Sequence, residues 1–133
     1  MISSESRVRV LYAHTDKMGI VNNSRYLEYF ELGRTDLLRN IGYRYRDMES
    51  DNIALPLIEV QCRYIFPAYY DDEVIIKSAL KQKPTVKIKI DYELFVESRL
   101  IATGYTIHSF VDLKNLKPVR PSEKLLKLLE GKL

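Results

Sequence analysis

Asp16 lies a few residues ahead of a segment whose apolar side chains recur at helical spacing, with Gly19, Asn22 and Asn23 between them. An ionised carboxylate at such a place can attack a carbonyl carbon or take a proton from water. The first backbone N–H groups of a helix lack partners within it, and the macrodipole adds partial positive charge there. Acid and amide donors converging on one carbonyl make acyl transfer the chemistry this spacing suggests. Gly19 suits a tight turn, and Asn22, Asn23 or Ser24 can cap the helix. Local sequence also allows a plainer account, in which Asp16 is a turn or cap residue.

Other chemistry-bearing residues are fewer. His14, two residues before Asp16, would share its side of a strand, where it could donate to a leaving thiolate or tune the acid; a surface histidine is the plainer account. His108 falls on the parity of Gly104 and Phe110 and is read as structural. Glu31 and Arg34 sit three apart on the expected helix and read as an ion pair. Two separated histidines and Cys62 do not offer metal-ligand spacing, so no metal site is expected. Lys87 and Lys89 lie on the polar side of a strand, available to phosphates or simply solvated.

These residues need elements to hold them. A short strand is expected over Arg7–Tyr12, then a long helix from about Ser24 to Asn40, where Leu27, Phe30, Leu37, Leu38 and Ile41 recur and Gly42 supplies the stop. Gly33 inside that helix implies a close contact with the sheet. Tyr43–Asn52 reads as a flap or short helical turn. Leu57–Phe66 alternates Ile58, Val60, Cys62, Tyr64 and Phe66 against Glu59, Gln61 and Arg63, the pattern of a half-buried strand. Strands are also expected over Glu73–Lys81, Thr85–Val96 and Leu100–Asp112, with a tight turn at Glu97-Ser98-Arg99 and a final amphipathic helix carrying Leu125, Leu126, Leu128 and Leu129. One strand, one long helix and four more strands predict an α+β domain, an antiparallel sheet wrapped around the helix.

The bulk numbers fit one domain spanning residues 1–133. Hydrophobic residues make up 46% and charged residues 29%, which excludes a disordered chain. The net charge of +3 comes from dispersed lysines and arginines, so a nucleic-acid partner is not indicated. Cys62 is the only cysteine, which fits a reducing compartment. No apolar run reaches a membrane span and residues 1–9 do not resemble a signal peptide, so the cytoplasm is the expected location.

Thr15-Asp16-x-x-Gly19-x-Val21, followed by Tyr26-Leu27-x-Tyr29-Phe30-Glu31-x-x-Arg34-Thr35, resembles the hotdog-fold acyl-CoA thioesterases of the 4-hydroxybenzoyl-CoA thioesterase-like family, which includes the Tol-Pal-associated enzymes. Ala102-Thr103-Gly104, Phe110-Val111-Asp112 and Pro118-Val119-Arg120 extend the likeness over nearly the whole chain. The resemblance implies a five-stranded antiparallel sheet around one central helix, in homodimers joined edge to edge that often pair into homotetramers, with active sites at the dimer interface. It implies hydrolysis of an acyl-CoA to the free acid and CoA without a cofactor. Asp16 matches the catalytic carboxylate and Asn23 the position whose N–H faces the thioester carbonyl, with Val21, Asn22 and Tyr26 as candidate substrate contacts. Relatives carry Tyr-His in place of Asn22-Asn23, or His-Val-Asn-Asn in place of Ile20-Val21-Asn22-Asn23; this chain has neither histidine. The alternatives are an acyl carrier protein as the thiol carrier, or a non-catalytic acyl-CoA-binding protein.

Overall fold

A computed structural model describes residues 1–133. Five strands form one antiparallel sheet in the order β1 (Ile2–Arg9), β4 (Glu73–Leu80), β5 (Lys87–Val96), β6 (Arg99–Ser109) and β3 (Leu57–Tyr64). The long helix α1 (Arg25–Ile41) lies on one face of it, the expected hotdog arrangement. Along β5, Ile88, Ile90, Tyr92 and Leu94 alternate into the core, and a register shift after Leu94 leaves Val96 only partly buried. Phe30 of α1 stacks on Tyr92, ring centroids 4.3 Å apart, and anchors the helix over the sheet.

The helix rests on small residues. Ser6 donates to Asp36 Oδ2 at 2.6 Å and Asn40 donates to Ser4 Oγ at 2.9 Å, so β1 meets α1 through hydrogen bonds. A Cβ at Gly33 would lie 2.7 Å from Ile76 Cγ2 and collide with Ser78 Oγ, which accounts for the helix-interior glycine by close approach to β4.

Several boundaries differ from the sequence expectation. β1 begins at Ile2 and stops at Arg9, and Tyr12 opens a single 3-10 turn over Tyr12–His14 instead of closing the strand. Serines at positions 3, 4 and 6 hid the first half of β1, because small polar residues under a helix carry no hydrophobic alternation. Tyr43–Asn52 contains the short helix α2 (Tyr45–Ser50). The last expected strand is divided: β6 ends at Ser109, and β7 (Val111–Asp112) leaves the main sheet to pair with β2 (Ile53–Ala54). Glu97 and Ser98 turn the chain between β5 and β6 with φ of +49° and +72°, the signs a two-residue type I′ hairpin requires. The closing helix α3 (Glu123–Leu129) is capped by Ser122 Oγ, which accepts the Leu125 N–H at 3.2 Å, and buries Leu125 and Leu129.

The largest departure concerns β3. Its apolar side chains were expected to be half buried, yet Ile58 is 49%, Val60 39% and Tyr64 47% exposed. Cys62 pairs with Gly104, whose face meets Phe30, so this is the helix-facing side of the strand. α1 packs mainly on β1, β4 and β5 and leaves that side of the edge strand bare. Arg34 is a second departure. Its Nε donates to the Tyr45 hydroxyl at 2.9 Å, and no ion pair forms with the exposed Glu31.

Candidate functional site

Residues 14–22 fold into a small hairpin that carries Asp16 at its tip. Asp16 N–H donates to Ile20 O at 2.8 Å, Thr15 bridges Val21, and Asn22 N–H donates to His14 O at 2.8 Å. Gly19 closes the turn with φ +79° and donates to Asp16 O, a conformation that a side chain would strain. Val21 N–H donates to Ala68 O at 2.8 Å, tying the hairpin to the loop between β3 and β4. Asp16 Oδ1 accepts the Met18 N–H at 2.8 Å, which orients the carboxylate and leaves Oδ2 without a protein partner. Asp16 is partly exposed, so water can reach it.

The amides opening α1 show which donor is free. Ser24 N–H goes to Asn22 Oδ1 at 3.0 Å, Arg25 N–H to Asn22 O and Tyr26 N–H to Asn23 O. Asn23 N–H has no partner in the chain, and Asn23 is exposed. It stands at the positive end of a 17-residue helix, where a developing negative charge is stabilised. Asn22 spends its carbonyl oxygen on capping, taking Ser24 Oγ as well as Ser24 N–H, and keeps only its amide nitrogen for other contacts.

Val21 and Tyr26, expected as substrate contacts, are each 2% exposed. In the single chain they pack behind the hairpin and the helix start. Tyr64 of β3, 41 positions along the chain from Asn23, also reaches the helix start. Its hydroxyl donates to Asn23 O at 3.2 Å and its ring meets Tyr26 edge-on at 4.9 Å. Desolvation at its hydroxyl end, then Cys62 beside it, holds the Tyr64 phenol up at about 12 although the side chain is half exposed. No local motif could have located it, because the contact is made by the sheet.

His14 also has fixed surroundings: its Nδ1 faces the Leu11 N–H and the Tyr29 hydroxyl, each at 3.2 Å. His108 is remote from this cluster and 1% exposed, bonded to Thr106 Oγ1 at 3.0 Å and Leu55 O at 3.1 Å. Burial, then the nearby Arg34 charge, pushes its pKa down to about 4, which keeps it a neutral member of the interior. Glu31 is exposed on α1, and Lys89 Nζ lies 4.5 Å from the Tyr105 ring centroid on the outer side of the sheet. Tyr12 is 78% exposed and meets Tyr70 edge-on at 5.8 Å. A hollow of about 600 Å³ runs along α3 beside Lys81, Lys83 and Leu126, at the other end of α1 from Asp16. Around Asp16 and Asn23 the single chain offers an open aromatic surface.

Comparison with known proteins bears on this surface. The family model described as the thioesterase-like superfamily matches residues 10–129. The long-chain acyl-CoA thioesterase FadM of Escherichia coli is 30% identical over 129 residues, covering 95% of this chain and 96% of its own. The acyl-CoA thioesterase YbgC of Haemophilus influenzae is 27% identical, covering 84% and 83%. Among solved structures, the DHNA-CoA thioesterase of Staphylococcus aureus superposes with a TM-score of 0.86 at 30% identity, over 90% of this chain and 81% of that one.

Proposed function

Because the chain belongs to the thioesterase-like superfamily, we propose that it hydrolyses acyl-CoA thioesters to the free acid and CoA, with Asp16 acting on water or on the carbonyl and the Asn23 N–H polarising the carbonyl oxygen. The observation that carries this reading is the unpaired Asn23 amide at the start of α1, on the same short hairpin-to-helix unit as a solvent-accessible carboxylate. By the water route, Asp16 takes a proton from water as its oxygen bonds to the carbonyl carbon, and the carbonyl electron pair moves onto oxygen. Collapse breaks the C–S bond, and the departing thiolate takes up the proton. By the covalent route, Asp16 displaces the thiolate to form a mixed anhydride that water then cleaves. Either passes through an oxyanion beside Asn23, where one well-aimed donor is worth about 10²–10³ in rate. Names of relatives such as FadM and YbgC favour CoA as the thiol carrier over a carrier protein.

The chain is read as a single catalytic domain working in the cytoplasm; no helix in it is long and apolar enough to cross a membrane. We also propose that the working unit is a homodimer, or a pair of dimers, formed through β3. The open edge of β1 carries Glu5, Arg7 and Arg9, whereas β3 presents Ile58, Val60 and Tyr64 beside the site. Charged edges resist pairing and apolar ones invite it. Complete burial of a large apolar side chain contributes roughly 1.5–3 kcal/mol, and these three are already about half covered, so covering the row favours association by about a few kcal/mol. A second chain would also wall the open surface around Asp16.

The test is thiol release from short, medium, long and aromatic acyl-CoAs by the wild-type protein; no release from any of them rejects acyl-CoA hydrolysis in favour of acyl-carrier-protein substrates or simple ligand binding. For the interface, Val60→Lys is expected to shift the protein to monomer in light scattering and to lower thiol release with it. A dimeric Val60→Lys protein would place the interface elsewhere.

A further inference from the structure

His14 is held in a single tautomer. The Leu11 N–H can only donate, and it points at His14 Nδ1 from 3.2 Å. Nδ1 therefore carries a lone pair, and the Tyr29 hydroxyl at 3.2 Å must donate to it as well. Tyr29 is 2% exposed, and burial, followed by the charges around it, pushes its phenol up to about 12, so its proton is retained. The ring's proton then sits on Nε2, which has no partner in the protein. Nδ1 is turned inward onto Tyr29, so the opposite edge of the ring faces out, and the residue is partly exposed.

The position of this N–H follows from the hairpin. Thr15 is extended, at φ −95° and ψ 155°, so the side chains of His14 and Asp16 leave the chain on the same side. The hydrogen bond from Asn22 N–H to His14 O sets residue 14 directly across from the residue preceding Asn23. One unit thus presents Asp16, the free Asn23 amide and an imidazole N–H of fixed direction.

We propose that His14 is a catalytic residue in this chain, its Nε2–H serving as a second hydrogen-bond donor to the thioester oxyanion alongside the Asn23 N–H. The proposal rests on the hydrolase reading above. No proton leaves the imidazole: it polarises the carbonyl as a neutral electrophile and strengthens its hydrogen bond as charge develops on oxygen, as a neutral histidine can do in other enzymes. The developing oxyanion is where a preoriented donor has the most effect, since a thiolate leaves readily and its diffuse charge accepts hydrogen bonds weakly.

Two variants separate the ring's outward donor from its inward acceptor. Asparagine keeps an oxygen near the place of Nδ1 for Leu11 and Tyr29, but its amide falls short of Nε2. Glutamine reaches Nε2 with an amide N–H and gives up the inner acceptor. His14→Asn is expected to keep the wild-type Tm and KM while kcat falls about 10–10²-fold, somewhat less than the loss of a sole oxyanion donor. His14→Gln is expected to melt lower and yet turn over faster than His14→Asn. A His14→Asn protein with wild-type kcat, or a His14→Gln protein no faster than it, overturns the proposal while wild-type turnover leaves the hydrolase reading standing. A wild type inert on every acyl-CoA overturns both.

Discussion

Asp16→Asn is expected to lower thiol release by about 10²–10⁴-fold, the range of a lost general base, with Tm unchanged. The substitution removes the charge and the basic oxygen but keeps the shape. The amide oxygen can still accept the Met18 N–H that Asp16 Oδ1 takes at 2.8 Å, so the turn from 16 to 20 survives. Alanine would be a poorer test, since it would free that turn along with the chemistry. A folded Asp16→Asn protein with wild-type turnover would remove Asp16 from the reaction and return it to the role of a turn residue. A covalent route in which water cleaves the anhydride at the Asp16 carbonyl predicts in addition that oxygen from labelled water enters the Asp16 carboxylate during turnover, so label found there establishes the covalent route.

Gly104→Ala is expected to cost about 1–3 kcal/mol of stability through overpacking, a fall in Tm of roughly 5–10 °C for a chain of this length. A Cβ at position 104 would lie 2.7 Å from Phe30 Cζ and collide with the Gln61 carbonyl oxygen of β3. The ring has nowhere to go, because it is stacked on Tyr92 at 4.3 Å and fully buried. The carbonyl belongs to the backbone of β3, which pairs Cys62 with Gly104. Relief must therefore come from parting β3 and β6. The same movement would withdraw Tyr64 from Asn23 O, so the activity of the folded fraction should fall with stability. Thermal denaturation and kcat measured on one preparation check both effects; an unchanged Tm would mean that β3 can shift freely.

The structure also explains which residues near the motif work from behind. Val21 and Tyr26 carry the family likeness as strongly as Asp16 does, yet both are buried. Their contribution is to hold the hairpin against Ala68 and to seat the first turn of α1. Arg34 behaves similarly. Read as a surface partner for Glu31, it instead reaches Tyr45 and helps join α1 to α2.

Periodicity and punctuation by themselves determined the element types, because each depends on neighbours a few residues away. The run of α1 with its stop at Gly42, the inward set of β5 and the amphipathic face of α3 could all be read from one line of sequence. The spacing of Asp16, Gly19 and Asn23 likewise set an acid beside a helix start, since a tight turn is a local object. Tertiary structure alone decided where α1 lies across the sheet, and therefore that the apolar side of β3 is left largely uncovered. It alone brought Tyr64 to Asn23 and set Tyr29 against His14, turning a histidine with an ordinary surface reading into one with an assigned tautomer. Alternation records that a side of a strand is apolar, but what covers that side depends on elements distant in the chain.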